Sequence, residues 1–86
     1  MAASTKAVVS FEGDGTYQVG ADIKPGTYKS SKPDSGNCYW ARLKNDSGQF
    51  SAITANNNSS GQSVVTIRST DGVFETSGCN PWVKVK

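Results

Sequence analysis

Nearly every segment of this 86-residue chain alternates polar and apolar side chains with period two, and no window carries an apolar stripe at helical spacing. Such a pattern folds as strands, because consecutive strand side chains leave opposite faces. In residues 5–11, Ala7, Val9 and Phe11 fall on one face, with Lys6, Ser10 and Glu12 on the other. Further strand segments are expected over 16–20, 27–31, 38–44, 49–55, 63–69, 73–77 and 82–86. They are separated by KPDSGN, NDSG, NNNSSG, TDG and CNP, all turn chemistry. About eight short strands with such punctuation predict an all-β fold, a single small antiparallel sandwich or barrel. The domain is expected over residues 6–86, behind a flexible N-terminal arm at 1–5 with little to hold it in a core.

The tripeptide Gly-Thr-Tyr occurs twice, at 15–17 and 26–28. Asp14-Gly15 reads as a two-residue hairpin turn, and Pro25-Gly26 as a type II turn with Gly26 at positive φ. Each turn would deliver a Thr and a Tyr, both good strand formers, to the start of a strand. Asp22 is expected to cap backbone amides in the connection between them. Glu12, Asp14 and Asp22 fall short of the oxygen donors a dedicated calcium loop supplies, and no metal site is expected.

A chain this short is expected to build one core. Val9, Phe11, Trp40 and Trp82 are its candidate members, with Trp82 closing one end. Cys38 and Cys79 lie 41 positions apart. Joined, they would add about 4 kcal/mol by constraining the unfolded chain; reduced, they would be two buried thiols. Without a histidine in the chain, they cannot complete a zinc tetrahedron unless carboxylates take part. In CYWARLK, Cys38, Trp40, Arg42 and Lys44 share one face, and Tyr39, Ala41 and Leu43 share the other. If Cys38 points inward, Trp40 follows it and Tyr39 is exposed. Arg42 then needs a partner, for which Asp71 and Glu75 are the candidates.

The charge excludes some functions. Nine Lys and Arg against seven Asp and Glu give +2, with the basic residues scattered, so no nucleic-acid partner is expected. No apolar run is long enough for a membrane span or a secretory leader, so no membrane insertion is expected either. The final VKVK reads as a half-buried or edge strand. With no histidine for proton transfer, and too few residues for the deep cleft of a two-carboxylate hydrolase, the chain reads as non-enzymatic and without a cofactor.

The runs VGADIKPGTY at 19–28, CYWARL at 38–43 and FETSGC at 74–79 resemble a small β module of actinobacterial secreted proteins and lipoproteins, and of proteins of their phages. The resemblance spans residues 11–82. It implies that Cys38 pairs with Cys79 and that the role is accessory rather than enzymatic. Two functions follow as expectations. The first is a structural protein on a virion surface, a capsid decoration binding neighbouring shell subunits, with a homo-oligomer allowed by the symmetry of such a surface; a start at Met1 without a leader favours it. The alternative is an extracellular cell-envelope module that binds cell-wall glycan. The candidate contact residues are Lys6, Tyr39, Asn57 and Asn58, although residues 56–60, read as a loop, offer no ring for a sugar to stack on.

Overall fold

The computed structural model describes residues 9–45, 47 and 49–85. Seven strands are present among them: β1 (Gly15–Gln18), β2 (Gly26–Ser30), β3 (Cys38–Leu43), β4 (Ile53–Ser59), β5 (Ser63–Ile67), β6 (Val73–Ser77) and β7 (Trp82–Lys84). A four-stranded sheet in the order β1-β6-β3-β4 packs against a three-stranded sheet in the order β5-β2-β7. Every strand pairing is antiparallel. The architecture is a sandwich, with a 3-10 turn at Phe50–Ala52. The arm expected over residues 1–5, and Lys6, lie outside the described residues. Of the first expected strand, the described remainder forms one isolated bridge, Phe11 to Trp82.

Between the layers, the Phe11 ring is the hub. It meets Tyr17 at 4.9 Å, Tyr28 at 5.1 Å, Phe74 at 5.7 Å and Trp82 at 6.2 Å, measured between ring centres. Such tilted and edge-to-face pairs add to the area they bury. Trp82 is fully buried in this cluster. Its Nε1 donates to Thr76 Oγ1 at 2.9 Å, and that hydroxyl donates to Gly13 O at 2.9 Å. The disulfide Cys38–Cys79 is formed, joining the start of β3 to the β6–β7 connection. Trp40 is half-buried beside this cluster, its ring stacked on Phe74 at 6.2 Å. Val9, expected in the core, is 48% exposed, because the chain packs on β7 only from Ser10 and Phe11 onward.

A second apolar cluster lies on the outer face of the four-stranded sheet, where one core was expected. Ala41, Leu43, Ala52 and Val73 are buried there, with Tyr39 and Ile53 packed against them. The 3-10 turn brings Ala52 over the sheet, so both faces of β3 carry apolar side chains.

The repeated Gly-Thr-Tyr marks two crossings between the layers. Phe11 bridges β7 in one sheet, whereas β1 pairs with β6 in the other, so Asp14-Gly15 carries the chain across and makes no hairpin. Asp14 Oδ1 accepts the Gly78 N–H at 2.7 Å and pins the crossing. The second crossing turns at Gly20, with φ of 100°, where Gly20 N donates to Ile23 O. Pro25 lies at a bend, and Gly26 is already in β2 opposite Ile67, with φ of 155°, far from the roughly 80° of a type II turn. After each crossing the Tyr folds back on the chain it has just left. Tyr17 Oη donates to Glu12 O at 3.3 Å, and Tyr28 Oη donates to Lys24 O. Asp22 Oδ2 accepts the Gln18 N–H at 2.8 Å and closes the tight connection.

Candidate binding face

The outer face of the four-stranded sheet gathers the polar and aromatic groups that alternation could not place. Residues 56–58, read as a loop, belong to β4 and run antiparallel to β3, with Asn58 opposite Tyr39, Asn57 opposite Trp40 and Asn56 opposite Ala41. Asparagine is a poor strand former, but β4 is an edge strand whose side chains meet water, and the ladder with β3 outweighs the propensity. A bulge between Arg42 and Leu43 sets the register, with Thr54 as the extra residue, its hydroxyl donating to Arg42 O at 3.1 Å.

Cross-strand partners share a face, so the rows can be read across the sheet. One row is Thr16, Glu75, Ala41 and Asn56; the next is Ser77, Tyr39 and Asn58. Ala41 is small and fully buried, and the Tyr39 ring leans over it until its hydroxyl accepts from Asn56 Nδ2 at 3.5 Å. Asn58 is held by Asn37, whose Nδ2 donates to Asn58 Oδ1 at 3.0 Å. Beside the ring, Gly15, Thr16, Glu75 and Ser77 line a groove of about 280 Å³. The result is an aromatic wall, flanked by two amides, above a shallow trough of hydroxyls and one carboxylate.

Of the residues singled out in the sequence, Tyr39 and Asn58 come together here. Asn57 points to the opposite side with Trp40, and Lys6 lies outside the described residues. Asn56, Thr16 and Ser77 were not among the candidate contact residues, and Glu75 was a candidate only as a partner for Arg42, because the register alone assembles them here. Glu75 has Thr16 and Ala41 as its cross-strand neighbours, neither of them a second carboxylate. Arg42 is engaged elsewhere: its Nε meets Asp71 Oδ2 at 2.8 Å, and that carboxylate also accepts the Arg68 N–H at 2.9 Å. Among the described residues, no cluster of three His, Cys, Asp or Glu side chains could hold a metal.

The model of a family described as the Rv1352-like extracellular domain matches residues 9–83. The uncharacterized protein Rv1352 of Mycobacterium tuberculosis is 30% identical over 87 residues, covering 87% of this chain and 71% of its own length. The uncharacterized protein Mb1387 of Mycobacterium bovis matches to the same extent. No solved structure matches the chain. These relatives support the extracellular reading and lend no support to the virion surface.

Proposed function

From the premise that the chain belongs to the Rv1352-like extracellular domain family, we propose that it is a non-enzymatic module that binds cell-envelope polysaccharide on the outer face of its four-stranded sheet. One observation carries this reading: the Tyr39 ring, flanked by Asn56 and Asn58, forms the wall of the trough that holds Thr16, Glu75 and Ser77. The asparagines alone had nothing for a sugar to stack on, and the sheet supplies it. A pyranose offers an apolar face to the ring and a rim of hydroxyls to the amides and the carboxylate, the usual mixture of a small-ligand site. The groups sit on strands tied by backbone ladders, so little backbone freedom is left to lose on binding.

The test is co-sedimentation with insoluble mycobacterial envelope polysaccharide. Tyr39→Leu keeps an apolar cover over Ala41 while removing the ring. Its retention is expected to fall at least tenfold, roughly 1.4 kcal/mol, with melting temperature nearly unchanged. Equal retention of both proteins would overturn the assignment of this face. Loss of retention after protease treatment of the envelope material would replace the glycan by a protein partner.

A further inference from the structure

The last strand breaks the usual sidedness at Lys84. Trp82 lies opposite Ser30 and Lys84 opposite Tyr28, and Tyr28 and Trp82 are both core residues, so Lys84 is on the inner face of its sheet. Val83 and Val85 point outward, Val85 with 48% of its surface exposed. A half-buried strand ordinarily does the opposite. Where the lysine arrives, there is a cavity of about 250 Å³ bounded by Ser10, Phe11, Ile23, Lys24, Tyr28 and Lys84, with the tight Gly20–Asp22 connection along one side.

We propose that this cavity is a second binding site, separate from the Tyr39 face, for a small organic anion: an aromatic or aliphatic body carrying a phosphate or carboxylate. Phe11, Ile23 and Tyr28 are buried and give the cavity an apolar floor. Lys24 and Lys84 both line it, from segments 60 positions apart, and put two cationic residues at one site. Arg42–Asp71 is the ion pair seen among the described residues, so neither lysine is neutralised by a described carboxylate. Asp22 borders the same cavity and brings one negative charge, one oxygen, Oδ2, accepting the Gln18 N–H, so the two lysines leave the lining with a net positive charge. The walls are fixed by the fold: Lys84 N donates to Ser10 Oγ at 3.0 Å, Ser10 N donates to Trp82 O at 2.8 Å, and Tyr28 Oη holds Lys24 O. The Ser10 hydroxyl can donate its own proton into the cavity. An apolar floor with two cations and a hydroxyl at the rim selects an amphiphilic anion over both a neutral ring and a bare inorganic ion.

An inward lysine also protects an edge strand from pairing with another chain, and β7 is an edge strand. The experiment separates the two roles. Amide chemical shifts of the whole chain are followed during titration with phenyl phosphate, benzoate, benzyl alcohol and inorganic phosphate. Saturable shifts at Ser10, Lys24 and Lys84 are expected with phenyl phosphate or benzoate, and the tighter of the two assigns the headgroup. Lys24→Gln with Lys84→Gln should weaken that binding at least tenfold, whereas Lys29→Gln on the outer face should leave it unchanged. Binding of benzyl alcohol as tight as that of the anions would overturn the proposal. So would shifts confined to other residues, or a double variant that self-associates but binds the anions as the parent does.

Discussion

A methyl group on Gly13 would lie 1.8 Å from Cys79 O and 2.8 Å from Asn80 O, both backbone atoms that the disulfide and the Trp82 hydrogen bonds hold in place. Gly13→Ala is therefore expected to cost about 3 kcal/mol, a fall of roughly 15 °C in melting temperature. Gly61→Ala is the control: its nearest neighbour is Ser59 Oγ at 3.9 Å, and the change should stay within about 0.5 kcal/mol. Equal melting temperatures would mean that the contact at Gly13 is not a constraint. Tyr28 makes a second prediction. Burial pushes its hydroxyl above the ordinary value of 10.0, and the bond it donates to Lys24 O can be made only by the protonated form. The folded state thus holds the proton more tightly than the unfolded chain. Stability from this group is complete below pH 10 and is lost as pH rises through the folded value. In urea unfolding at pH 8 and pH 11, Tyr28→Phe should lose less stability than the parent over that interval. A parallel loss in both proteins would remove Tyr28 from the alkaline transition.

The disulfide links β3 to the β6–β7 connection across 41 positions, so it ties the four-stranded sheet to the segment that crosses to the other sheet. Replacing Cys38 and Cys79 by Ala should cost about 4 kcal/mol, a large share of what a domain of this size has. A loss under 1 kcal/mol in denaturant titration would show that the ladders suffice without the bond. β5, β6 and β7 were legible in the sequence because each begins just after turn residues, at Ser63, Val73 and Trp82, and β5 buries alternate positions as well. Their partners were not legible, because β3 and β4 are the consecutive strands that pair with each other, and the other described ladders join distant segments. A local reading of Asp14-Gly15 and Pro25-Gly26 therefore finds hairpins where the chain changes sheets. Residues 56–58 became strand through their ladder with β3, against their own propensity. The second apolar cluster left a trace in the sequence: Ala41 and Leu43 are as apolar as Cys38 and Trp40, a sign that both faces of that strand are covered. The candidate face combines a legible residue, Tyr39, with neighbours such as Glu75 and Asn56 that only the register supplies.

At the scale of the whole molecule, two candidate sites lie on different parts of one sandwich, a polar trough outside the four-stranded sheet and a cationic cavity against the inner face of the other. The fold that separates them is closed by the short segment at Ser10 and Phe11, which lies along β7. Ser10 Oγ and Lys84 N are 3.0 Å apart, so the described chain comes in and goes out at neighbouring points. A circular permutant joining residue 85 to residue 9 by a short Gly-Ser linker, and opened between Ser60 and Gly61, should fold with the same disulfide. Its melting temperature is expected to stay within about 10 °C of the parent's, a difference of one or two kcal/mol; failure to form the Cys38–Cys79 bond would show that the paired ends have to be laid down in their natural order. The same adjacency makes the domain portable. A host protein could carry it as a guest spliced into a surface loop, because the two cut ends need stand only about one strand spacing apart, near 5 Å. Pulling on the host along its backbone would then load the guest first across the Ser10–Lys84 seam, leaving the disulfide-tied remainder shielded until that joint gives way.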